Sequence, residues 1–332
     1  MDAGPGGTRM RRTMTRRELG ALLGAGALAG VAARRGEAAA GAAGTVGVAK
    51  LAAPATGAAL DPGAAREALG AALAAATGAA SGEAAAKRLF KPSDTVGIKL
   101  NCLGGRNLSP RVELVDALAG LLRSAGVAPA RIVVFERSSR ELQRAGFAIR
   151  RDGGDYLCHG IDNDYDKEPS TSGAIGSCFA RLVSTTCTAL VSFGVVKDHD
   201  LSGVSAGLKN LYGVIHNPNK YHDNNCDPYV ADVLRHPFVR GKLRLTVLDG
   251  VIAQCHGGPA WRPDACWPLG LVAASTDPVA CDAWAWRIID AERTRRGMPT
   301  LAQANRPPRF LATAAGYGLG VGDPAAIKEV RG

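Results

Sequence analysis

Residues 95–135 read TVGIKLNCLGGRNLSPRVELVDALAGLLRSAGVAPARIVVF and contain the signals of a strand, a loop, a helix and a second strand. Residues 95–100 are apolar and β-branched, as buried strands are. Ser109-Pro110 is typical of a helix start, with serine as the cap and proline in the first helical position, and Gly126 is a typical stop. The second apolar strand occupies residues 131–135. A helix that connects two strands in this way predicts a parallel sheet.

The same alternation extends over the rest of the chain. Further strands are predicted at residues 45–51, 189–196, 243–248 and 269–274, and further helices at 62–77, 82–90, 139–145, 203–211, 229–234, 277–295 and 310–316. Residues 152–178 lack periodicity and are interpreted as an insertion or connecting segment. The pattern predicts an α/β fold, a mostly parallel sheet with helices on both faces, in a single large domain over residues 45–325.

Residues 1–40 have the composition of an export signal. Arg16-Arg17 precede an uncharged run at residues 19–33, and Ala38-Ala39-Ala40 resembles a cleavage site. The run is shorter than the about 20 residues that span a bilayer. We expect a twin-arginine signal peptide, the Tat translocase as a partner during export, a periplasmic or extracytoplasmic location, and no stable membrane span after processing. An ordinary secretory leader or a retained anchor is the alternative.

The charge of the chain is mildly basic and suits either a small anionic ligand or no particular partner. The formal net charge is +10. Seven arginines and three acidic residues lie within residues 1–40, so about +6 remains on the rest. No Lys/Arg cluster is interleaved with aromatic residues, which argues against nucleic acid as a partner.

The cysteines do not form a metal-binding pattern. All eight follow residue 100, and none occurs in a C-x-x-C pair, whereas iron–sulfur and zinc sites normally use clustered thiolates. The sequence therefore argues against both kinds of site. Disulfides are permitted in an oxidising compartment, but their pairing cannot be deduced from spacing.

Polar side chains follow the predicted strands at their carboxyl ends. Lys99 and Asn101 alternate with apolar neighbours at the end of one strand. Lys197 and His199 do the same after another, and Asp249 ends a third. Ligands of parallel α/β sheets bind beyond these ends, so the residues are candidates for a catalytic or binding site.

Several of these polar residues also have structural explanations. Asp277 is expected to cap the last long helix. Asp282, one turn later, is a candidate site residue but could equally bond backbone amides, and Glu136 could form a turn. Lys99 is harder to explain structurally, because a lysine within a buried strand needs a counter-charge or an anionic ligand.

The segment KDHDLSGVSAGLKNLYG at residues 197–213 carries the densest polar signal. A helix is expected to begin near Ser202, with N-terminal amides that can hold an anion. Lys209 and Asn210 lie on this helix and are candidate catalytic residues. His199 could serve as an acid, a base or a ligand. No phosphate-binding loop motif is present, so nucleotide binding has little support.

A divalent metal ion is a possible cofactor. The loop HNPNKYHDNN at residues 216–225 contributes His216 and His222, and His256 follows in a later loop. Two histidines with Asp249 or His256 would make a metal site. The alternative is a solvated loop, since Asn and Asp favour turns.

The order of four motifs resembles the domain-of-unknown-function family DUF362, in its twin-arginine-exported branch. The motifs are DTVGIKLN at 94–101, KDHDLSGVSAGLKNLYG at 197–213, DG…GGP at 249–259 and STDPVACD at 275–282, within a resemblance that covers about residues 45–325. It implies one α/β domain and no substrate. The site-bearing residues that it implies are Lys99, Asn101, Lys197, His199, Lys209, Asn210, Asp249, Asp277 and Asp282.

Three functions follow from these observations. The first is an exported enzyme, metal-assisted or using a Lys/His/Asp set, that acts on a small anionic substrate. The second is a non-catalytic binding protein for an anionic metabolite or a metal ion. The third, an iron–sulfur redox protein, is disfavoured by the dispersed cysteines. Whether the protein is an enzyme stays open at this point.

Overall fold

Strands and helices alternate along the part of the chain that the computed structural model describes, which is Met1, residues 43–54 and residues 59–332. The strands are β1 (Thr45–Lys50), β2 (Val96–Leu100), β3 (Ile132–Glu136), β4 (Leu157–Gly160), β5 (Ser170–Ser172), β6 (Ile175–Ser177), β7 (Ala189–His199), β8 (Gly203–Val204), β9 (Leu243–Gln254), β10 (Cys266–Trp267), β11 (Leu271–Ser275) and β12 (Lys328–Arg331). The helices are α1 (Pro62–Thr77), α2 (Gly82–Leu89), α3 (Val112–Ser124), α4 (Ser139–Ala145), α5 (Gly207–Asn210), α6 (Tyr229–Arg235), α7 (Pro237–Arg240), α8 (Pro278–Arg295) and α9 (Phe310–Gly316).

One ten-stranded sheet organises the fold. Its main order is β12-β1-β11-β9-β7-β2-β3-β4, with β10 attached to β9 and β8 attached to β7. Strands β9, β7, β2, β3 and β4 run parallel to one another, as do β1 and β12. The prediction of a single α/β domain with a mostly parallel sheet is confirmed.

Strand β11 is the exception in the main order, because it runs antiparallel to both β1 and β9. A parallel connection needs a crossover segment, usually a helix. Residues 255–270 instead contain β10, which folds back on the end of β9. The chain therefore returns as a hairpin, and β11 takes the opposite direction.

Helices cover both faces of the sheet, as the sequence predicts. Along β2, Val96, Ile98 and Leu100 point to a core that contains the apolar sides of α1, α2, α3 and α4. The other core is filled by side chains of α5, α6, α7, α8 and α9. Because side chains alternate along a strand, Lys99 is directed away from the first core and toward the face that carries α5.

Two helix starts differ from the predictions. The Ser109 hydroxyl donates to the Gly105 carbonyl oxygen at 2.6 Å, so it serves the preceding turn, and the next helix begins at Val112. The helix expected over residues 203–211 is reduced to α5. The reason is that β7 continues to His199 and Gly203, with φ of 76°, turns the chain back along it as β8.

The segment without periodicity, residues 152–178, is not structureless. It contains β4, which adds to the sheet beside β3, and the separate hairpin of β5 and β6. Strand β12 extends the sheet beyond residue 325. The predicted signal peptide at residues 1–40 lies outside the described residues, apart from Met1. No helix among the described residues is long and apolar enough to cross a membrane.

Candidate functional site

A polar cavity of about 280 Å³ lies at the carboxyl ends of β2, β3 and β7. The strands bring Lys99, Asn101, Glu136 and His199 to it, as expected for a parallel sheet. The remaining lining residues come from the loops after these strands, from α4, from α5 and the loop that follows it, and from the loop after β9. They are Leu103, Arg137, Glu141, Ser205, Lys209, Asn210, Tyr212, Gly213, Pro218, Asn219, His222 and Pro259.

Lys99 forms a buried ion pair at the floor of the cavity. Its Nζ lies 2.7 Å from Glu136 Oε1, and both side chains are about 95% or more buried. Glu136 also accepts hydrogen bonds from the backbone N–H groups of Cys102 and Arg137. The counter-charge that a lysine in a buried strand needs is thus supplied by the neighbouring strand, and the pair contributes no net charge to the cavity.

Asn210 holds the same lysine in place. Its Oδ1 accepts from Lys99 Nζ at 3.1 Å, and its Nδ2 donates to the Lys99 carbonyl oxygen and to Ser192 Oγ. A Cβ atom at Gly213 would lie 2.6 Å from Lys99 Nζ, so a larger residue there would displace the lysine from this position. Asn210 therefore ties α5 to β2 and β7.

Lys197 lies behind the cavity wall and has no carboxylate partner within the part of the chain that the structure describes. Its Nζ donates to Asn101 Oδ1 at 3.1 Å and to the Pro259 carbonyl oxygen at 3.4 Å, and the residue is completely buried. Burial lowers the pKa of Lys197 to about 8, although more distant negative charges act in the opposite direction. A buried ammonium bonded only to neutral oxygens leaves a positive charge that is not compensated locally.

Lys209 is the second buried lysine without a carboxylate partner, and it lines the cavity directly. Its Nζ donates to His222 Nε2 at 3.0 Å and lies 3.8 Å from the centre of the Tyr212 ring. His222 Nδ1 in turn donates to the Asn219 carbonyl oxygen, which leaves Nε2 as the acceptor. Burial lowers the pKa of Lys209 to about 8, so amine and ammonium forms coexist near neutral pH.

His199 presents a donor to the cavity. The backbone N–H groups of Leu201 and Ser202 donate to its Nδ1, at 3.1 and 3.3 Å, so in this tautomer the proton is on Nε2. Burial and the nearby positive charge of Lys209 lower the pKa of His199 to about 2. The imidazole is therefore neutral, and its ring stacks at 5.8 Å on that of His222.

The two predicted site aspartates do not line the cavity. Asp249 is buried against Arg111, accepting from its side chain and its backbone N–H, and also accepts from Val251 N–H. Asp282 accepts from the N–H groups of Gly207 and Leu208 at 2.8 and 3.1 Å. The amides that we expected to hold an anion at the start of the helix are thus occupied by this carboxylate.

Asp277 has the position expected of a cap. Its Oδ1 accepts from Val279 and Ala280 at the start of α8, while Oδ2 accepts from Gly44 and Val321. It lies outside the cavity. Asp277 and Asp282 both serve to fix backbone, and Asp282 fixes the short helix that carries Lys209.

The three histidines predicted as metal ligands do not come together. His216 is exposed and packs edge-on against Tyr165, and His256 is exposed near Arg306. Only His222 of the three lines the cavity. Among the described residues, no group of three or more His, Cys, Asp or Glu side chains is arranged to hold a metal ion. The described residues therefore do not assemble His216, His222 and His256 into one ligand set.

The cysteines are also dispersed in space. All eight lie within residues 59–332 and carry free thiols, and six of them are buried. Burial raises the pKa of Cys102 and Cys226, the two nearest the buried lysines, so they stay as thiols. They give no support to an iron–sulfur cluster bound by the described residues.

Sequence reasoning missed several residues that shape the cavity. Tyr212, whose ring contacts Lys209, is three residues further on, a spacing that brings side chains together on a helical segment. Arg137 follows Glu136 at the end of β3, and it pairs with Glu141 at 3.0 Å. The position of Arg137 after a strand and the spacing of Tyr212 from Lys209 were signals that could have been used.

A second, larger cavity of about 500 Å³ lies between α1 and the strands β1 and β12, at one end of the sheet. Of its charged residues, Lys50, Glu67 and Arg331 are exposed and Glu329 is partly buried. It contains no buried ionisable group of the kind found beyond β2, β3 and β7. The smaller cavity is therefore the candidate functional site.

Comparison with known proteins identifies a family but no activity. The family model of the domain of unknown function DUF362 matches residues 96–287, more than half of the chain. A crystal structure of a protein from Thermotoga maritima is similar with 13% sequence identity and a TM-score of 0.40. That match covers 64% of this chain and 55% of the Thermotoga protein. We infer nothing about this chain from a TM-score of 0.40. No curated protein matches the chain.

Proposed function

Because the chain belongs to the domain-of-unknown-function family DUF362, whose name assigns no activity, we propose a function from its own cavity, the binding of a small anionic molecule. The observation that carries this proposal is the pair of buried lysines, Lys197 and Lys209, neither of which has a carboxylate partner among the described residues. Burying an uncompensated ammonium costs free energy that an anionic ligand would recover. The size of the cavity is near the lower limit for ligand pockets, which favours a small metabolite.

The neutral donors around the cavity suit the same ligand. The hydrogen bonds that His199 Nδ1 accepts fix the ring so that Nε2–H is the donor. Arg137 adds N–H donors but little charge, because Glu141 pairs with it at 3.0 Å. Carboxylates and phosphates accept several such bonds at once. Lys99 contributes little charge because Glu136 neutralises it, so Lys209 is the ligand contact that we expect to dominate.

Titration calorimetry tests the proposal directly. Small carboxylates and inorganic phosphate are titrated into the full chain at pH 8, in two buffers with different enthalpies of ionisation. We expect saturable binding with uptake of protons, because an anion raises the pKa of Lys209 and Lys197 from about 8. Lys209→Met should abolish binding, and Lys167→Met, at an exposed position, should not. Binding that survives Lys209→Met would refute the proposal.

A catalytic role is the second candidate, and one observation favours it over a purely binding role. Lys209 Nζ and His222 Nε2 lie 3.0 Å apart, and the pKa of Lys209 is near the pH at which an acid or base works best. A binding protein needs the charge but not this pairing. Turnover of a bound anion, lost in His222→Ala while binding is retained, would distinguish the enzyme from the binding protein.

Export as a folded protein is also part of the proposal. It is supported by Arg16-Arg17 before the uncharged run and by the Ala38-Ala39-Ala40 segment. A double substitution of Arg16 and Arg17 by lysine should leave the protein in the cytoplasmic fraction. Export of that variant at the normal rate would contradict the twin-arginine route.

A further inference from the structure

We propose that Lys209 is an amine nucleophile that forms an imine with the carbonyl carbon of a small anion bound in the cavity. This proposal rests on the proposed function, because the cavity must first hold the anion. It narrows the ligand class to anions that carry an aldehyde or ketone group, such as 2-oxo acids.

The three buried lysines near the cavity differ in what they can do. Lys99 is held in an ion pair with Glu136 at 2.7 Å, so its Nζ is not free to attack a ligand. Lys197 has no such partner but is completely buried behind Asn101 and Pro259. Lys209 lines the cavity and has no carboxylate bonded to it. Of these lysines it alone combines access to a ligand with freedom from an ion pair.

The surroundings of Lys209 supply what an amine nucleophile requires. A lysine becomes nucleophilic when a buried, apolar environment favours the neutral amine. Lys209 is 7% exposed, and its Nζ lies over the Tyr212 ring. His222 Nε2, at 3.0 Å, is an acceptor for the proton that leaves Nζ during attack. The Nδ1–H···O bond from His222 to Asn219 fixes the tautomer in which Nε2 is free to accept.

The step balances without an added oxidant or reductant. The Nζ–carbon bond forms and the carbonyl carbon–oxygen double bond opens to a carbinolamine. One amine proton passes to His222 Nε2 and returns to the oxygen, and the second leaves Nζ as the C=N bond forms. The carbonyl oxygen departs as water with both protons, and hydrolysis reverses the sequence.

Reductive trapping tests the imine. The full chain is incubated at pH 8 with glyoxylate, pyruvate or 2-oxoglutarate and sodium cyanoborohydride, and the modified lysine is located by peptide mass spectrometry. We expect one adduct per chain on Lys209 with at least one of the three acids, and none in Lys209→Arg, which keeps the charge. Lys167→Arg, the matched surface control, should be labelled like the unsubstituted protein. His222→Ala should slow trapping by roughly a hundredfold, the usual effect of losing a proton-transfer group.

Two further probes separate the failure of the imine from the failure of anion binding. Lactate, which has no carbonyl group, should bind in calorimetry as pyruvate does but give no adduct. If the oxo acids bind and no lysine is trapped, or labelling is equal at Lys209 and Lys167, the imine proposal is overturned and the anion site stands. If no acid binds but acetaldehyde labels Lys209 selectively, the nucleophile stands and the anion site is overturned. If no acid binds and acetaldehyde shows no preference for Lys209, both are overturned.

Discussion

The buried carboxyl group of Asp282 should make the stability of this protein fall as pH rises, and substitution by asparagine should remove that dependence. Asp282 is completely buried and bonded only to the N–H groups of Gly207 and Leu208. Burial raises its pKa from 3.8 to about 7, against the opposite effect of the two backbone hydrogen bonds. The folded protein therefore holds a proton here that the unfolded chain has already lost.

The sign and size of the effect follow from this difference. Between pH 4 and pH 7 the folded state binds more protons than the unfolded state, so the free energy of unfolding falls as pH rises. Each pH unit within the window changes it by about 1.4 kcal/mol. The free energy of unfolding of Asp282→Asn, taken relative to that of the unsubstituted protein, should therefore rise by about 3 kcal/mol from pH 5 to pH 8, since the pKa of Asp282 is about 7.

Urea unfolding at pH 5, 6, 7 and 8, followed by tryptophan fluorescence, measures this difference. Asp94→Asn is the matched control. Burial alone would raise the pKa of Asp94, but hydrogen bonds from Arg244, Lys91 and Thr188 lower it below 3.8. The stabilising contribution of the Asp94 carboxylate is complete above that value. The difference in free energy of unfolding between Asp94→Asn and the unsubstituted protein should therefore stay constant from pH 5 to pH 8. A constant difference for Asp282→Asn as well would refute the reasoning.

Three other predictions concern the lysines and the cysteines. Lys99→Met should lower the free energy of unfolding by about 3–5 kcal/mol, because it leaves Glu136 buried without its cation. The double variant with Glu136→Gln should lose much less stability than the sum of the two single variants. Simple additivity of the two losses in urea unfolding would contradict the ion pair. The affinity for a small carboxylate should fall up to about tenfold per pH unit above pH 8 as Lys209 loses its proton, its pKa being about 8, and calorimetry that finds equal affinity at pH 7 and pH 10 would be evidence against this contact. Iodoacetamide should label only Cys178 and Cys266 in the native protein, since the other thiols are buried. A third cysteine labelled as fast as these two, detected by mass spectrometry, would contradict the burial of the other six.

Much of the fold could be predicted because local signals and tertiary packing agree. The Asp61 cap and Pro62 start α1 and Gly78 ends it, so the helix has the predicted bounds. Strand β2 was evident from its apolar run. The direction of β11 could not be predicted, because it depends on how β10 folds back on β9. Strand β12 is short and polar, and its partner β1 is distant in sequence.

The candidate site was harder to predict than the fold. The sequence located Lys99, Lys197 and Lys209 near one another, because parallel strands end at a common edge. It could not show which of them has a counter-charge, since the pairing of Lys99 with Glu136 depends on the side-chain directions of two neighbouring strands. It also could not show that Asp282 would occupy the amides of α5, which requires α8 to pass directly over that short helix.

The position of β1 has a consequence for synthesis of the chain in the cell. Its two neighbours in the sheet are β11 and β12, which the ribosome makes more than 200 residues later, and the backbone just before it bonds to Asp277. While the intervening residues emerge, this strand can pack against α1 but has neither of its final partners in the sheet, and it presents unpaired backbone edges. Folding of this half of the sheet must therefore wait until nearly the whole chain has been translated, and a holding chaperone has most to protect at the first strand.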